Sequence, residues 1–233
     1  MSGPAIVETE PSVEELMERF KPLYTGVVYD TLDEMGFPNQ ALAPDIVPLR
    51  KSMQVIGPAF TFQGLSDVEA DEVMRQKRIQ MFNQMSYPCV EVRDCALDTR
   101  VAHYGEMTAV LSRSKGAVGA VIDGGIRDSN LLLKMDFPVF SRYRCPVEAK
   151  GRWAYHRWQL PIQLRGALTM QVIVNPGDFV FGDIDGVMII PREHVFEVLR
   201  VSEESASVEN LARAEFSAPG ADAEEVYKRY GKL

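Results

Sequence analysis

The chain has 233 residues, 46% hydrophobic and 25% charged, with 33 acidic against 25 basic side chains and a formal net charge of −8. Such proportions belong to a globular protein of one large domain or two small ones, long enough to bury a sizeable core. They also exclude several classes. An acidic balance with a pI near 5.0 disfavours a protein that tracks a nucleic-acid backbone, and no apolar run approaches the ~18 residues of a membrane span. Cys89, Cys95 and Cys145 are an odd set without CxxC spacing, which disfavours a disulfide framework and a structural zinc site. The opening residues lack signal or transit character, so a cytoplasmic location is expected.

Residues 1–12 read as a flexible lead-in. Apolar positions at helical spacing predict helices over 13–20 and 26–35, the second ended by the turn residues Gly36, Phe37, Pro38 and Asn39. A strand is expected over 56–62, interrupted at Gly57 and Pro58, then a helix-compatible stretch over 66–85 and a short strand over 89–92. Residues 106–115 form an amphipathic pattern stopped by Gly116, and 117–122 is a small-apolar run suited to a strand buried on both faces. A turn over 123–130 then opens a helix over 131–135. Short strands follow over 138–140, 172–174, 179–181 and 187–190. A long charged helix over 192–213, a loop at Pro219-Gly220 and a last short helix close the chain. The reading is one α/β domain over 13–215, with helical arms at both ends and a tail over 216–233.

The densest polar cluster is Val121-Ile-Asp-Gly-Gly-Ile-Arg-Asp128. It places Arg127 and Asp128 where a buried strand hands over to a helix, the position at which open α/β proteins bind ligands. Helix N-terminal amides there favour anions, and a carboxylate can hold a hard cation. A purely structural alternative stays open, in which Asp128 or Ser129 caps the helix and Arg127 makes a surface pair. Gly105-Glu106 opens the preceding helix and offers a second anion pocket, although Glu106 also suits a helix's first turn on electrostatic grounds alone. Other signals are weaker. No GxGxxG or GxSxG occurs, and His103, His156 and His194 lack zinc-ligand spacing. Asp183-Ile-Asp185-Gly186 reads as a tight turn, and the aromatic stretch 152–158 as a partly buried loop or subunit contact.

Gly105-Glu106-Met107, Gly116-x-x-Gly-Ala-Val-Ile-Asp-Gly-Gly-Ile-Arg-Asp128, Phe137-Pro-Val-Phe140, Pro176-Gly-Asp178 and Gly182-Asp-Ile-Asp-Gly-Val187 occur in the order seen in RraA-like proteins. Val28-Tyr-Asp-Thr-Leu-Asp33, residues 46–49 and Gly57-Pro-Ala-Phe-Thr61 extend the resemblance upstream, so it covers roughly 20–205. The family includes the 4-hydroxy-4-methyl-2-oxoglutarate/4-carboxy-4-hydroxy-2-oxoadipate aldolases and the regulator of ribonuclease activity A.

The resemblance implies a swivelling β/β/α fold, assembled as a trimer or hexamer with sites between subunits. The aldolase motif D-x20-R-D corresponds here to Glu106-x20-Arg127-Asp128. It implies Asp128 as the holder of Mg2+ or Mn2+, Arg127 as the carboxylate- and enolate-binding cation, and the Gly105, Glu106 and Met107 amides as receptors for a pyruvyl carboxylate. Glu203, or alternatively Glu204, matches an acid drawn from a neighbouring subunit's C-terminal helix. Glu in place of the first motif Asp, Leu131 in place of an acid, and the unmatched stretch 152–158 are departures that bear on the substrate. The implied activity is a metal-dependent pyruvate aldolase on a 4-hydroxy-2-oxo acid, with oxaloacetate decarboxylation as a side activity. Alternatives are a non-catalytic regulator of an RNA-processing enzyme, a metal-dependent lyase or hydrolase on a sugar-derived oxo acid, and a Schiff-base route through Lys115, Lys134 or Lys150.

Overall fold

The computed structural model describes residues 11–231; the lead-in expected over 1–12 falls almost wholly outside them. In chain order the elements are α1 (Val13–Phe20), α2 (Thr25–Glu34), β1 (Val47–Pro48), β2 (Val55–Ser66), α3 (Glu72–Asn83), β3 (Cys89–Asp94) and β4 (Ala102–Tyr104). There follow α4 (Glu106–Ser114), β5 (Ala117–Ile126), α5 (Ser129–Met135), β6 (Val139–Arg144), β7 (Trp153–Trp158), β8 (Ile162–Leu164) and β9 (Val172–Val174). The last are β10 (Phe179–Asp183), β11 (Gly186–Ile190), α6 (Val195–Phe216) and α7 (Ala223–Tyr230).

The main sheet runs β1-β6-β5-β3-β2-β10-β11 and curls into a nearly closed barrel. Its centre, β2-β3-β5-β6, is parallel, so all four strands deliver their C-terminal ends to the same side. β4 pairs with the last residues of β5, and β7 pairs antiparallel with the second half of β2. The strands carry near-continuous buried runs, as sheets covered on both faces require. One apolar core fills the sheet interior around Phe62, Val92, Val121 and Phe140. A second lies between α1, α2, α6 and the β10–β11 hairpin, around Phe20, Val28, Phe181 and Leu199. Asp183, at the hairpin turn, accepts from the Thr25 amide and hydroxyl at 2.8 Å and so caps α2 from across the fold. Among the described residues no helix is long and apolar enough to cross a membrane.

Several boundaries differ from the sequence reading. β2 passes through Gly57 and Pro58, which pair with Val180 and Phe179. Only the second part of 66–85 is helical, because Asp71 accepts from the Met74 amide at 2.8 Å and starts α3 there. Residues 153–158 of the aromatic stretch form a strand, β7. β5 continues to Ile126, so Gly124 and Gly125 do not turn the chain. Their role is close approach: a Cβ on Gly124 would lie 2.5 Å from His103 Nδ1, and one on Gly125 would strike the Tyr143 ring and the Val101 carbonyl. The end of the chain agrees with the sequence reading: a loop over 217–222 leads into α7, tied back by Arg229 and Tyr230 on Glu215.

Candidate active site

The turn after β4 and the turn after β5 meet at the C-terminal end of the parallel strands. Arg127 N–H donates to the Tyr104 carbonyl at 2.9 Å, which fixes one turn on the other. Asp128 occupies the N-cap position of α5 in the left-handed region, φ 59° and ψ 31°, yet its side chain makes no cap hydrogen bond. Instead Asp128 Oδ2 accepts from the Glu106 amide at 3.3 Å, at the start of α4. Oδ1 makes no hydrogen bond among the described residues. Asx side chains reach this backbone region more readily than others, but it remains sparsely populated. A sparsely populated backbone with an uncommitted carboxylate favours a functional reading over simple capping.

Gly105 is needed for this approach. A Cβ there would lie 2.6 Å from Asp128 Oδ2 and 3.2 Å from Arg127 Cγ. The Arg127 guanidinium lies between two carboxylates, with Nε 3.7 Å from Asp128 Oδ2 and Nη2 3.7 Å from Glu148 Oε1. Both separations exceed hydrogen-bond range, so its donors are not committed to either carboxylate.

Gly105, Met107, Arg127 and Asp128 line one cavity of about 320 Å³, within the range of small-molecule sites. The rest of its wall comes from residues 69–70 and α3, from β4, from Thr108, from residues 148–151 and from β7. Glu106 belongs to the turn, but its side chain is not part of the wall, and its amide is taken by Asp128. The Met107 amide makes no hydrogen bond among the described residues, leaving it available to an anion. Glu203 lies away from this cavity on α6, where its carboxylate accepts from Arg19 Nε at 2.9 Å; Glu204 pairs with Arg200. Of the three lysines considered for a Schiff base, only Lys150 lines the cavity.

Beneath the wall is a buried charge pair that the sequence reading did not find. Arg93 and Glu91 are fully buried and paired, Ser112 Oγ donates to Glu91 Oε2 at 2.6 Å, and Arg93 also donates to the His103 carbonyl. The guanidinium stacks 4.7 Å from the Tyr155 ring centre and 4.9 Å from that of Tyr104. His103 accepts from the Gly125 amide at Nδ1, 3.1 Å away, and burial lowers its pKa to about 4. Burial pushes the Asp123 carboxyl the other way, up to about 6, against the opposing pull of Arg142. The available signal was the alternation of charged and apolar residues in 89–94. It was muted because every residue of β3 is buried.

Among the described residues no group of three or more His, Cys, Asp or Glu is arranged to hold a metal. Asp128 Oδ1 is a free carboxylate oxygen at the cavity, whose lining also holds the carboxylates of Glu69 and Glu148. A single carboxylate, with the remaining positions left to water and substrate, suits Mg2+ and would not suit structural zinc.

The Aldolase/RraA model of the RraA-like family matches residues 25–189. A protein of Halalkalibacterium halodurans, provisionally named a 4-hydroxy-4-methyl-2-oxoglutarate aldolase, is 31% identical over 80% of this chain and 81% of its own. A crystal structure described as novel cellulases from microbes associated with the gut ecosystem is 36% identical. It superposes with a TM-score of 0.80 over 88% of this chain and 90% of that one. Streptomyces coelicolor RraAS2, described as an unusual member of the RNase ES inhibitor RraA protein family, shares the fold at 21% identity. Its TM-score is 0.73 over 88% of this chain and 98% of its own. The residue pattern, the barrel-like sheet and the family match agree: the chain belongs to the RraA-like family.

Proposed function

We propose that the chain is a divalent-metal-dependent aldolase that cleaves a 4-hydroxy-2-oxo acid, such as 4-hydroxy-4-methyl-2-oxoglutarate, to release pyruvate. Oxaloacetate decarboxylation is its side activity. The observation that carries this reading is the meeting of Gly105, Arg127 and Asp128 at one cavity, with a carboxylate oxygen and a guanidinium both left uncommitted. The naming of the 31% identical relative supports it.

Asp128 would hold Mg2+ or Mn2+, which when bound supplies Lewis-acid polarisation of the 2-oxo group. The Met107 amide, at the positive end of α4, would receive the pyruvyl carboxylate. In the reaction the C4 hydroxyl loses its proton, the C3–C4 bond breaks, and its electron pair moves into the pyruvate enolate while C4 becomes a carbonyl. Arg127 would stabilise the charge growing on the enolate oxygen, as a fixed donor beside a developing oxyanion. Protonation at C3 then gives pyruvate. Glu106, and Glu203 from a neighbouring subunit in a trimer or hexamer, would orient the water that carries the proton.

The test is pyruvate release from oxaloacetate and from 4-hydroxy-4-methyl-2-oxoglutarate, with and without Mg2+. Metal-dependent release from both is expected. No release from either would overturn the enzyme reading in favour of a non-catalytic regulator. A full rate after chelation would overturn the metal. Sedimentation tests the assembly, since a fully active monomer would remove Glu203 from the site.

A further inference from the structure

Aldol cleavage takes a proton from the C4 hydroxyl in one step and returns one to C3 in another. Some group in the cavity must hold it between the two, because a free hydronium ion is far too acidic to do so near neutral pH. Three carboxylates line the cavity: Glu69, Asp128 and Glu148. Glu106 has no side chain in the wall, and Glu203 is paired with Arg19 on α6. Asp128 is the residue that would hold the metal. Glu69 precedes α3 and makes no ion pair among the described residues.

Glu148 stands beside the reacting groups. Its Oε1 lies 3.7 Å from Arg127 Nη2, while Asp128 Oδ2 lies 3.7 Å from Nε of the same guanidinium. Arg127 therefore has Asp128 at one nitrogen and Glu148 at another. The backbone is tied to the same corner of the fold. Residue 148 forms a parallel bridge with Ala102, whose amide donates to the Val147 carbonyl at 2.9 Å. Ala102 pairs in turn with Gly125, two residues before Arg127. The Glu148 side chain is more than half exposed and makes no hydrogen bond among the described residues, so it is free to take and give a proton.

We propose that Glu148 is the catalytic base and acid of the aldol cleavage. The inference rests on the 2-oxo acid reading above and names the residue on which the relayed proton comes to rest. The C4 hydroxyl proton passes to the Glu148 carboxylate, and the O–H electron pair becomes the second bond of the C4 carbonyl. The C3–C4 pair moves into the enolate. The Glu148 carboxylic acid then protonates C3, which restores the carboxylate and consumes no further reactant. The order Asp128, Arg127, Glu148 matches the substrate, in which the 2-oxo carbon is joined through C3 to C4. A donor for the enolate oxygen and a base for the C4 hydroxyl stand side by side.

Oxaloacetate decarboxylation forms the same enolate without a hydroxyl to deprotonate, so it is the internal reference. The experiment measures cleavage of 4-hydroxy-4-methyl-2-oxoglutarate and decarboxylation of oxaloacetate, in saturating Mg2+, for the wild type, Glu148→Gln, Glu148→Asp and Glu69→Gln. Glu148→Gln should lower kcat for cleavage by about a hundredfold or more, the range of general acid–base catalysis. Decarboxylation should fall at least about tenfold less, so the ratio of the two rates collapses. Glu148→Asp should recover part of that ratio. Thermal midpoints should agree, since the side chain is exposed and outside any hydrogen bond. A wild-type ratio in Glu148→Gln, equal losses of the two activities, or a collapse in Glu69→Gln instead would overturn the assignment. Any of these in a wild type that performs both reactions sinks this inference alone. A wild type that performs neither sinks the 2-oxo acid reading along with it.

Discussion

The Glu106 amide donates to Asp128 Oδ2 at 3.3 Å, so the first residue of α4 and the residue that opens α5 are joined across 22 positions of sequence. The contact exists because residue 105 has no side chain. Gly105→Ala should therefore displace the Asp128 carboxylate while leaving both helices formed. At φ −154° the alanine backbone is unstrained, so the thermal midpoint should barely move. Turnover should fall at least about tenfold, since small misplacements of reacting groups are costly. Wild-type kcat in this variant would separate the contact from catalysis.

Asp128→Asn keeps the shape and tolerates the left-handed backbone, so folding should be preserved. The amide cannot supply a carboxylate charge to a hard cation. Magnesium affinity and pyruvate release should fall together. Retention of both would exclude Asp128 as the metal-holding residue.

Arg127→Lys distinguishes a surface pair from an oxyanion donor. As a partly exposed pair, 3.7 Å from each carboxylate, Arg127 should matter by under ~1 kcal/mol to stability. As a placed donor to an enolate, it should matter by about 10²–10³ in turnover. Oxaloacetate decarboxylation at the wild-type rate would take Arg127 out of the active site.

The Glu91–Arg93 pair is fully buried, which makes its two halves unequal to its sum. Glu91→Gln should destabilise the fold by about 3–5 kcal/mol, because it leaves a buried guanidinium without its counter-charge. The double variant Glu91→Leu with Arg93→Met should recover much of that loss. Denaturant unfolding of the three proteins checks the ordering, and a loss under about 1 kcal/mol for Glu91→Gln would contradict it.

His103 gives a stability change with pH whose sign is fixed by burial. Its pKa is lowered to about 4 from 6.5, so between those values the unfolded chain binds the proton and the folded one does not. Stability linked to His103 is full above pH 6.5 and is lost as pH falls towards 4. Asp123, raised to about 6 from 3.8, acts oppositely: its contribution is full below 3.8 and is lost as pH rises through 6. The wild-type curve mixes the two. The difference between wild type and His103→Gln isolates the first and should slope by about 3 kcal/mol from pH 6.5 to 4. Parallel curves would show that His103 titrates normally.

The Gly105, Arg127 and Asp128 constellation was legible because each residue lies where a regular element begins or ends, and those boundaries leave marks in sequence. β5 was legible as far as Ile122 for the same reason. Its last residues were misread because glycine marks both a turn and a place where two chains touch; only His103, Cys95 and Tyr143, brought in from elsewhere, decide between them. β7 was hidden because it pairs with the far half of β2 and turns His156 and Arg157 outward, giving no long apolar run. Glu148 was hidden for a different reason. An exposed glutamate is an ordinary loop residue until the Arg127 guanidinium lies beside it.

The cavity takes its wall from chain positions as far apart as Glu69 and Tyr155, with contributions near 104, 127 and 149 between them. None of these segments can bind anything alone. During refolding the β2-to-β7 closure must therefore precede any functional site, however early the β5–α5 unit forms. Non-local pairings of this kind are the slow ones. Ligand binding thus reports completion of the β2-to-β7 closure, and a circular permutant cut between α3 and β3 would regain secondary structure well before it regains a site.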